Sequence, residues 1–389
     1  MLIVNRDHIS TGDFAILTAV MPHKLQQFFK NTDYYPLWLV LISTLSSVGL
    51  YIPLYFKDPT LLFRHWDGPN YLYVARTLYQ IPLDHPFVSY KTTQAYFACH
   101  LPLYPLLIRL CSYLFDYPAA MLFVTLVSSG VATYLFYLLV KETEAVAQPF
   151  WSAVLFLFLP IRWLTYHSLG APDPLFLALV FGSMLCWRRK YYGWAFFLVG
   201  LSSITRIVGV LVGVAYLLTA IHEKRWKSIP LMVIMPLPLL LTFAFYAYQF
   251  GDFWAYFSWN AKLLDPQPLK VFMSYVSNNN PHSAELYLLM YLAYGAGVLM
   301  LWRWPLFFWY AATFWVFNLF IFHEDLSRYY LPITPFVLVI AYDKVLSRRA
   351  MQLMFPLLLF GVYAYSLPLI EKNALVDWVW PRLLEALRH

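Results

Sequence analysis

The chain has 389 residues, of which 61% are hydrophobic and only 12% charged, about half the charged share usual in soluble domains. A core of soluble size cannot hide that much apolar side chain, so lipid must solvate part of it and a water-soluble protein is excluded. The net charge of +7 reads as cations at helix ends that set topology. No basic tract has the character of a nucleic-acid site, which removes that class. Cys99, Cys111 and Cys186 form no Cys-x-x-Cys pair, so a zinc or redox motif is not indicated. A disulfide between Cys99 and Cys111 stays open.

In chain order, residues 1–35 are mixed and polar, without the pattern of a cleavable signal peptide. They read as a cytoplasmic segment with a short interfacial helix at 22–30. Residues 36–367 form the membrane domain. A spanning helix needs roughly 20 apolar residues, and the first such run is 36–56. Further runs are 118–140, 150–166, 172–187, 229–250, 285–301, 305–322, 331–342 with flanks, and 351–367. Short basic loops around Arg188, Lys224, Arg303 and Arg348 are expected in the cytoplasm. Alternation then puts residues 57–117 and the tail 368–389 on the far face.

The segment 191–221 carries basic clusters at both ends, so it cannot be one simple span. Two half-helices of about 14 residues, each rising about 21 Å, resolve the conflict, with a turn near Ser202-Ser203-Ile204-Thr205-Arg206. Such elements survive at membrane depth only when buried in protein or lining a cavity. Arg206 at that tip is either a functional cation or a structurally paired one. With this hairpin counted as two, about eleven membrane-embedded helices result, an all-α polytopic protein.

Acidic residues and histidines collect on the far face, among them His65, Asp67, His100, Asp173, Asp252 and Asp325. That suggests a site at one membrane surface. The densest stretch is Arg64-His65-Trp66-Asp67-Gly68-Pro69, followed by a helix expected from Pro69 to Tyr79. Asp67 there is either a plain helix cap or a general base. A second short helix is expected around His100 to Arg109, and two surface helices in one loop can wall a groove.

These pieces resemble a known superfamily. Trp66-Asp67-Gly68, then Leu101-Pro102-Leu103-Tyr104-Pro105, looks like the first lumenal loop of C-type (GT-C) glycosyltransferases. The likeness is greatest to the second mannosyltransferase family of the glycosylphosphatidylinositol-anchor pathway and its bacterial relatives. Ala171-Pro172-Asp173-Pro174, Thr205-Arg206 with Gly209, Phe250-Gly251-Asp252 with Trp259, and Ser327-Arg328-Tyr329-Tyr330-Leu331-Pro332 resemble further family segments in the right order. His65 stands where the family has Arg, and Asp173 where it has Glu.

The resemblance implies a polyprenyl-phosphate sugar as donor, mannose as the expected hexose, and a lipid or glycan acceptor. Asp67 would be the base of an inverting single displacement. Arg328, Arg206 and Tyr329 would bind the donor phosphate, although Arg328 beside its tyrosines also reads as an interfacial anchor. Trp66, His65, His100, Tyr104, Asp173 and Asp252 are the candidates for substrate contact. No cofactor is required and no metal ligand is assigned, while Glu324 and Asp325 leave room for a divalent cation. The expected site is periplasmic in a bacterial inner membrane, with the endoplasmic reticulum as the alternative. A lipid-linked saccharide flippase and a polysaccharide polymerase or ligase are the rival functions.

Overall fold

The computed structural model describes residues 34–323 and 325–388. The expected interfacial helix at 22–30 and Glu324 lie outside them. The described chain is mainly helical, and its only β-type pairings are two isolated bridges, His65 with Ala374 and Leu264 with Ile321.

The first apolar run is helix α1, Tyr35–Lys57, which starts at a proline and ends where Asp58 turns the chain. The loop beyond it holds α2, Gly68–Thr77, and α3, Leu103–Cys111. Next comes α4, Tyr117–Thr143, capped by the Asp116 carboxylate on the Ala119 amide at 2.7 Å. The expected span 150–166 is instead two short helices, α5 (Pro149–Phe156) and α6 (Trp163–Ser168). Pro160 lies between them and supplies no amide to continue the helix. Helix α7, Asp173–Arg188, follows.

The segment 191–221 is a pair of helices, α8 (Tyr192–Ser203) and α9 (Gly209–His222), with a break between. Gly209 permits the close turn, since a Cβ there would sit 2.4 Å from the Ser203 nitrogen. A nine-residue 3-10 stretch, Trp226–Ile234, leads through Pro236 into α10, Leu237–Phe250. Then come α11 (Ala255–Asn260), α12 (Lys270–Ser277), α13 (Pro281–Met300) and α14 (Pro305–Asn318). The expected span 331–342 is not one regular α-helix: it holds a π-helical stretch, Pro335–Ile340, and is flanked by the short helices α15 (Leu326–Tyr329) and α16 (Asp343–Leu346). After α17, Arg349–Leu353, helix α18 runs Phe355–Lys372. It passes through Pro368, so the expected boundary at 367 moves to Lys372. The tail ends in α19, Val379–Arg388.

Among the described residues, four stretches are long and apolar enough to cross a bilayer: Tyr35–Lys57, Tyr117–Thr143, Trp226–Phe250 and Pro281–Arg303. Helix α1 shows an inside-out pattern. It buries Ser43, Ser46 and Ser47 while exposing Leu37, Leu41, Leu45 and Ile52. In water that arrangement would be unstable, whereas in lipid it satisfies both faces. The buried hydroxyls pair across helices, Ser43 with Ser129 at 2.9 Å and Ser47 with Ser168 at 2.8 Å, the usual polar glue of membrane bundles. The protein is thus an all-α polytopic membrane protein, as its composition indicates.

Helix α4 packs between α1 and α7, α7 against α8, and α9 against α14. A second apolar core lies beneath the first loop, where Leu72, Tyr104 and Ile108 meet Tyr246 of α10 and Leu383 of α19. The two loop helices are thereby fixed over the bundle rather than trailing from it.

Helices α8 and α9 rise only about 18 and 21 Å at 1.5 Å per residue, short of the roughly 30 Å hydrocarbon core. Both outer ends of the pair should therefore face one compartment. Single cysteines at the exposed positions Lys190 and Lys224, in a background lacking Cys99, Cys111 and Cys186, are expected to label from the same side with an impermeant thiol reagent. Labelling from opposite sides would mean a continuous crossing.

Candidate active site

The site is built on the turn that precedes α2. Trp66 adopts a left-handed backbone, φ 47°, a conformation costly for a residue with a bulky side chain. Its amide donates to the Asn373 carbonyl at 2.9 Å, and the Gly68 amide donates back to His65 at 3.0 Å. Asp67 then occupies the N-cap position of α2, yet its carboxylate accepts no capping bond. Pro69 in the first helical turn has no amide to offer. The plain-cap reading of Asp67 is therefore not what the structure contains.

The carboxylate faces Arg328, whose Nη1 lies 3.1 Å from Asp67 Oδ2. Arg328 also reaches toward Asp173, Nη2 to Oδ2 at 3.9 Å, and its guanidinium stands 4.8 Å from the centre of the Tyr166 ring, within cation–π range. Asp173, only 3% exposed, is ion-paired with Arg206. Two carboxylates and two guanidinia thus run in a chain, Asp67–Arg328–Asp173–Arg206. Four elements distant in sequence meet there: the loop turn, the first turn of α7, where a carboxylate also suits the helix dipole, the break between α8 and α9, and α15, which brings Arg328.

Three members of this chain, Asp67, Arg328 and Arg206, line one part of a cavity of about 530 Å³, and Asp173 lies outside its lining. Tyr71 and Tyr329 line the same part. Away from it the wall turns apolar, with Val210, Leu211, Leu239, Phe243, Phe257 and Leu264. The space suits an amphiphile with an anionic head and a hydrocarbon body.

The other residues singled out from the sequence sit elsewhere. His65 and His100 are 4% exposed and stand behind the cavity wall, His100 with its ring 4.9 Å from that of Tyr71. Burial drives both histidines down to about 4, so they are neutral at pH 7. Tyr104 is fully buried, with its hydroxyl 2.6 Å from Thr125 Oγ1. Trp66 shapes the turn without lining the cavity. Asp252 lies outside it as well, accepting from the Trp254 amide at 2.8 Å and the Ser258 hydroxyl at 3.1 Å. Asp325 is ion-paired with Arg162, which occupies the carboxylate considered for a cation. Cys99 and Cys111 are both free thiols. Several lining or supporting residues were not singled out. Tyr256 and Asn260 carried a usable signal, since their i, i+4 spacing on α11 puts them on one face. Tyr166 carried none, because it lies inside an apolar run.

No family model and no curated protein matches this chain. It is similar to the crystal structure of ArnT from Cupriavidus metallidurans bound to undecaprenyl phosphate, with a TM-score of 0.52. Identity is 12%, and the likeness covers 90% of this chain and 77% of that one. At such identity it concerns the fold alone, an all-α membrane bundle of the kind that ArnT has.

Two stability consequences follow from the site. Asp173→Ala would leave two guanidinia with one fewer buried counter-charge and is expected to cost about 3–5 kcal/mol. The pair Asp173→Ala with Arg206→Met should lose less than the sum of the two singles, as read by unfolding in detergent. The second concerns His100. Between pH 6.5 and 4 the unfolded state binds a proton that the folded state refuses, so stability falls as pH falls through that window. The slope is about 1.4 kcal/mol per pH unit for each such histidine. His100→Gln should remove one share of it, and equal slopes for variant and parent would mean that His100 is charged in the fold.

Proposed function

We propose that this protein is a membrane glycosyltransferase that moves a hexose from a polyprenyl-phosphate donor to an acceptor hydroxyl with inversion. The observation that carries this reading is the joining of Asp67, Arg328 and Arg206 to an apolar cavity large enough for the first part of a lipid chain. A similarly folded protein, ArnT, has undecaprenyl phosphate bound, which supports the donor class. The sequence motifs favour mannose as the sugar and the face of the first loop, periplasmic or lumenal, as the side of reaction.

In the proposed reaction the donor phosphate enters between Arg328 and Arg206, where planar guanidinium groups offer paired donors to its oxygens. Arg328 then shares its hydrogen bonds between the phosphate and Asp67, which stays beside the guanidinium. The acceptor oxygen attacks the anomeric carbon from the side opposite the phosphate. The bond from that carbon to the phosphate oxygen breaks, and the electron pair leaves on the phosphate. Asp67 takes the acceptor proton as general base. The two arginines stabilise the charge growing on the leaving group. Asp173 touches neither reacting atom in this scheme and holds the arginines in place.

Polyprenyl-phosphate hexose and nucleotide sugar, offered separately to the purified protein in detergent, separate this reading from its rivals. Transfer is expected only from the lipid donor. Asp67→Asn should lower turnover by about 10² or more while donor binding persists. Arg328→Ala should weaken use of the lipid donor strongly. Efficient transfer from nucleotide sugar alone, or an Asp67→Asn variant that keeps its rate, would overturn the assignment.

A further inference from the structure

We propose that the segment after α18, residues 373–388, is a positioning element of the active site that holds the Trp66–Asp67 turn in its working conformation. The proposal rests on the transferase reading above only for the identity of Asp67 as base. Its structural part stands on contacts of the tail alone.

The turn before α2 is not self-sufficient. Trp66 sits at φ 47°, and the side chain of Asp67 gives α2 no cap that would fix its own orientation. What opposes relaxation comes from the far end of the chain. The Trp66 amide donates to Asn373 at 2.9 Å and the Leu375 amide donates to Arg64 at 2.7 Å. Together they make the antiparallel bridge of His65 with Ala374, a two-rung ladder immediately before Asp67. Arg64, whose side chain is 7% exposed, adds an ion pair to Asp377 and another to Asp58 at 3.0 Å.

The tail is itself anchored on both sides. Its start continues directly from α18, which ends at Lys372. Its end, α19, buries Val379, Trp380, Leu383 and Leu387 and packs on α2. The Trp380 ring lies parallel to Phe63 with centres 6.3 Å apart. The tail thus holds both the turn and the helix that follows it, and Asp67 is the residue between those two grips. A left-handed tryptophan held from outside is where stored backbone strain is expected to serve a function.

Leu375→Pro removes one rung by deleting the amide. Asp377→Asn, at an exposed position, removes one of the two charges that Arg64 pairs with and leaves Asp58 in place. Because a displacement of about 1 Å in a reacting group can cost about 10²-fold in rate, Leu375→Pro is expected to lower kcat by about tenfold or more. The KM for polyprenyl-phosphate hexose and the binding of bare polyprenyl phosphate should stay near the parent values. Asp377→Asn should show the same kcat-selective loss to a smaller degree, restored by Asp377→Glu. In Leu375→Pro the Trp66 amide should lose protection from hydrogen exchange while amides of α4 and α7 keep theirs. Unchanged kcat in both variants, or unchanged Trp66 protection, would overturn the proposal. So would a loss of kcat, donor binding and thermal midpoint together, which is what a merely structural tail would give. If Leu375→Pro does not fold, Asp377→Asn with its Glu rescue decides. If the parent protein transfers no sugar from the lipid donor, the transferase reading fails, and hydrogen exchange at Trp66 still decides whether the tail holds the turn.

Discussion

The buried ion chain Asp67–Arg328–Asp173–Arg206 sets the terms for the rest of the structure. A charge taken out of water is costly unless it is paired, and removing one partner leaves the other stranded. Here each inner member has two neighbours, so each charge has at least one opposite charge within reach. The cluster is neutral as a whole, with two carboxylates against two guanidinia. That neutrality lets it sit at the head of an apolar cavity, and it sets a condition on any ligand. An anion that enters competes with the two carboxylates for the guanidinia, and Arg328 Nε, which has no partner among the described residues, is one donor it can take.

The helices are shaped to bring this chain together. A bundle of continuous spans would present side chains only laterally. Breaks provide backbone ends inside the protein, and two of the four charged groups arrive on such features. Arg206 comes from the interruption between α8 and α9, which Gly209 lets close tightly. Arg328 comes from the short α15, ahead of the π-helical stretch. Irregular backbone at membrane depth is tolerated where it is buried or lines a cavity. The serine and histidine contacts among α1, α4 and α6, including Ser129 Oγ to His167 Nδ1 at 3.2 Å, keep the helices behind the site in register without adding net charge.

The membrane class was legible because apolar composition acts through total surface, which needs no knowledge of contacts. The break in 191–221 was legible because like charge at both ends conflicts with a single crossing. The breaks at 157–162 and within 331–342 were not, since an apolar run interrupted by proline has the hydropathy of an uninterrupted one. Asp67, Arg206 and Arg328 could be picked out as polar residues in apolar surroundings. Their partnership could not, because it joins residues up to 261 positions apart. Tyr166 and the contact of Asn373 with Trp66 were hidden for the same reason, and a backbone carbonyl leaves no mark in a sequence. His65, His100 and Tyr104 drew notice as polar groups in the loop, but burial places them in the wall behind the cavity.

Sharing one guanidinium between base and leaving group has a further physical consequence for the proposed reaction. A donor phosphodiester brings one negative charge to a neutral cluster. As the sugar departs, the phosphate gains a second negative charge, and in the same step Asp67 loses its own by taking the acceptor proton. Negative charge therefore shifts from one side of Arg328 to the other while the total in the site stays constant. At an effective dielectric of about 20, moving a unit charge between two positions each about 4 Å from the same cation changes its attraction of about 4 kcal/mol very little. A base placed far from Arg328 would instead lose one ion pair and leave the new phosphate charge to be compensated separately. In the proposed reaction the 3.1 Å contact of Asp67 with Arg328 would keep the electrostatic cost of the transfer low.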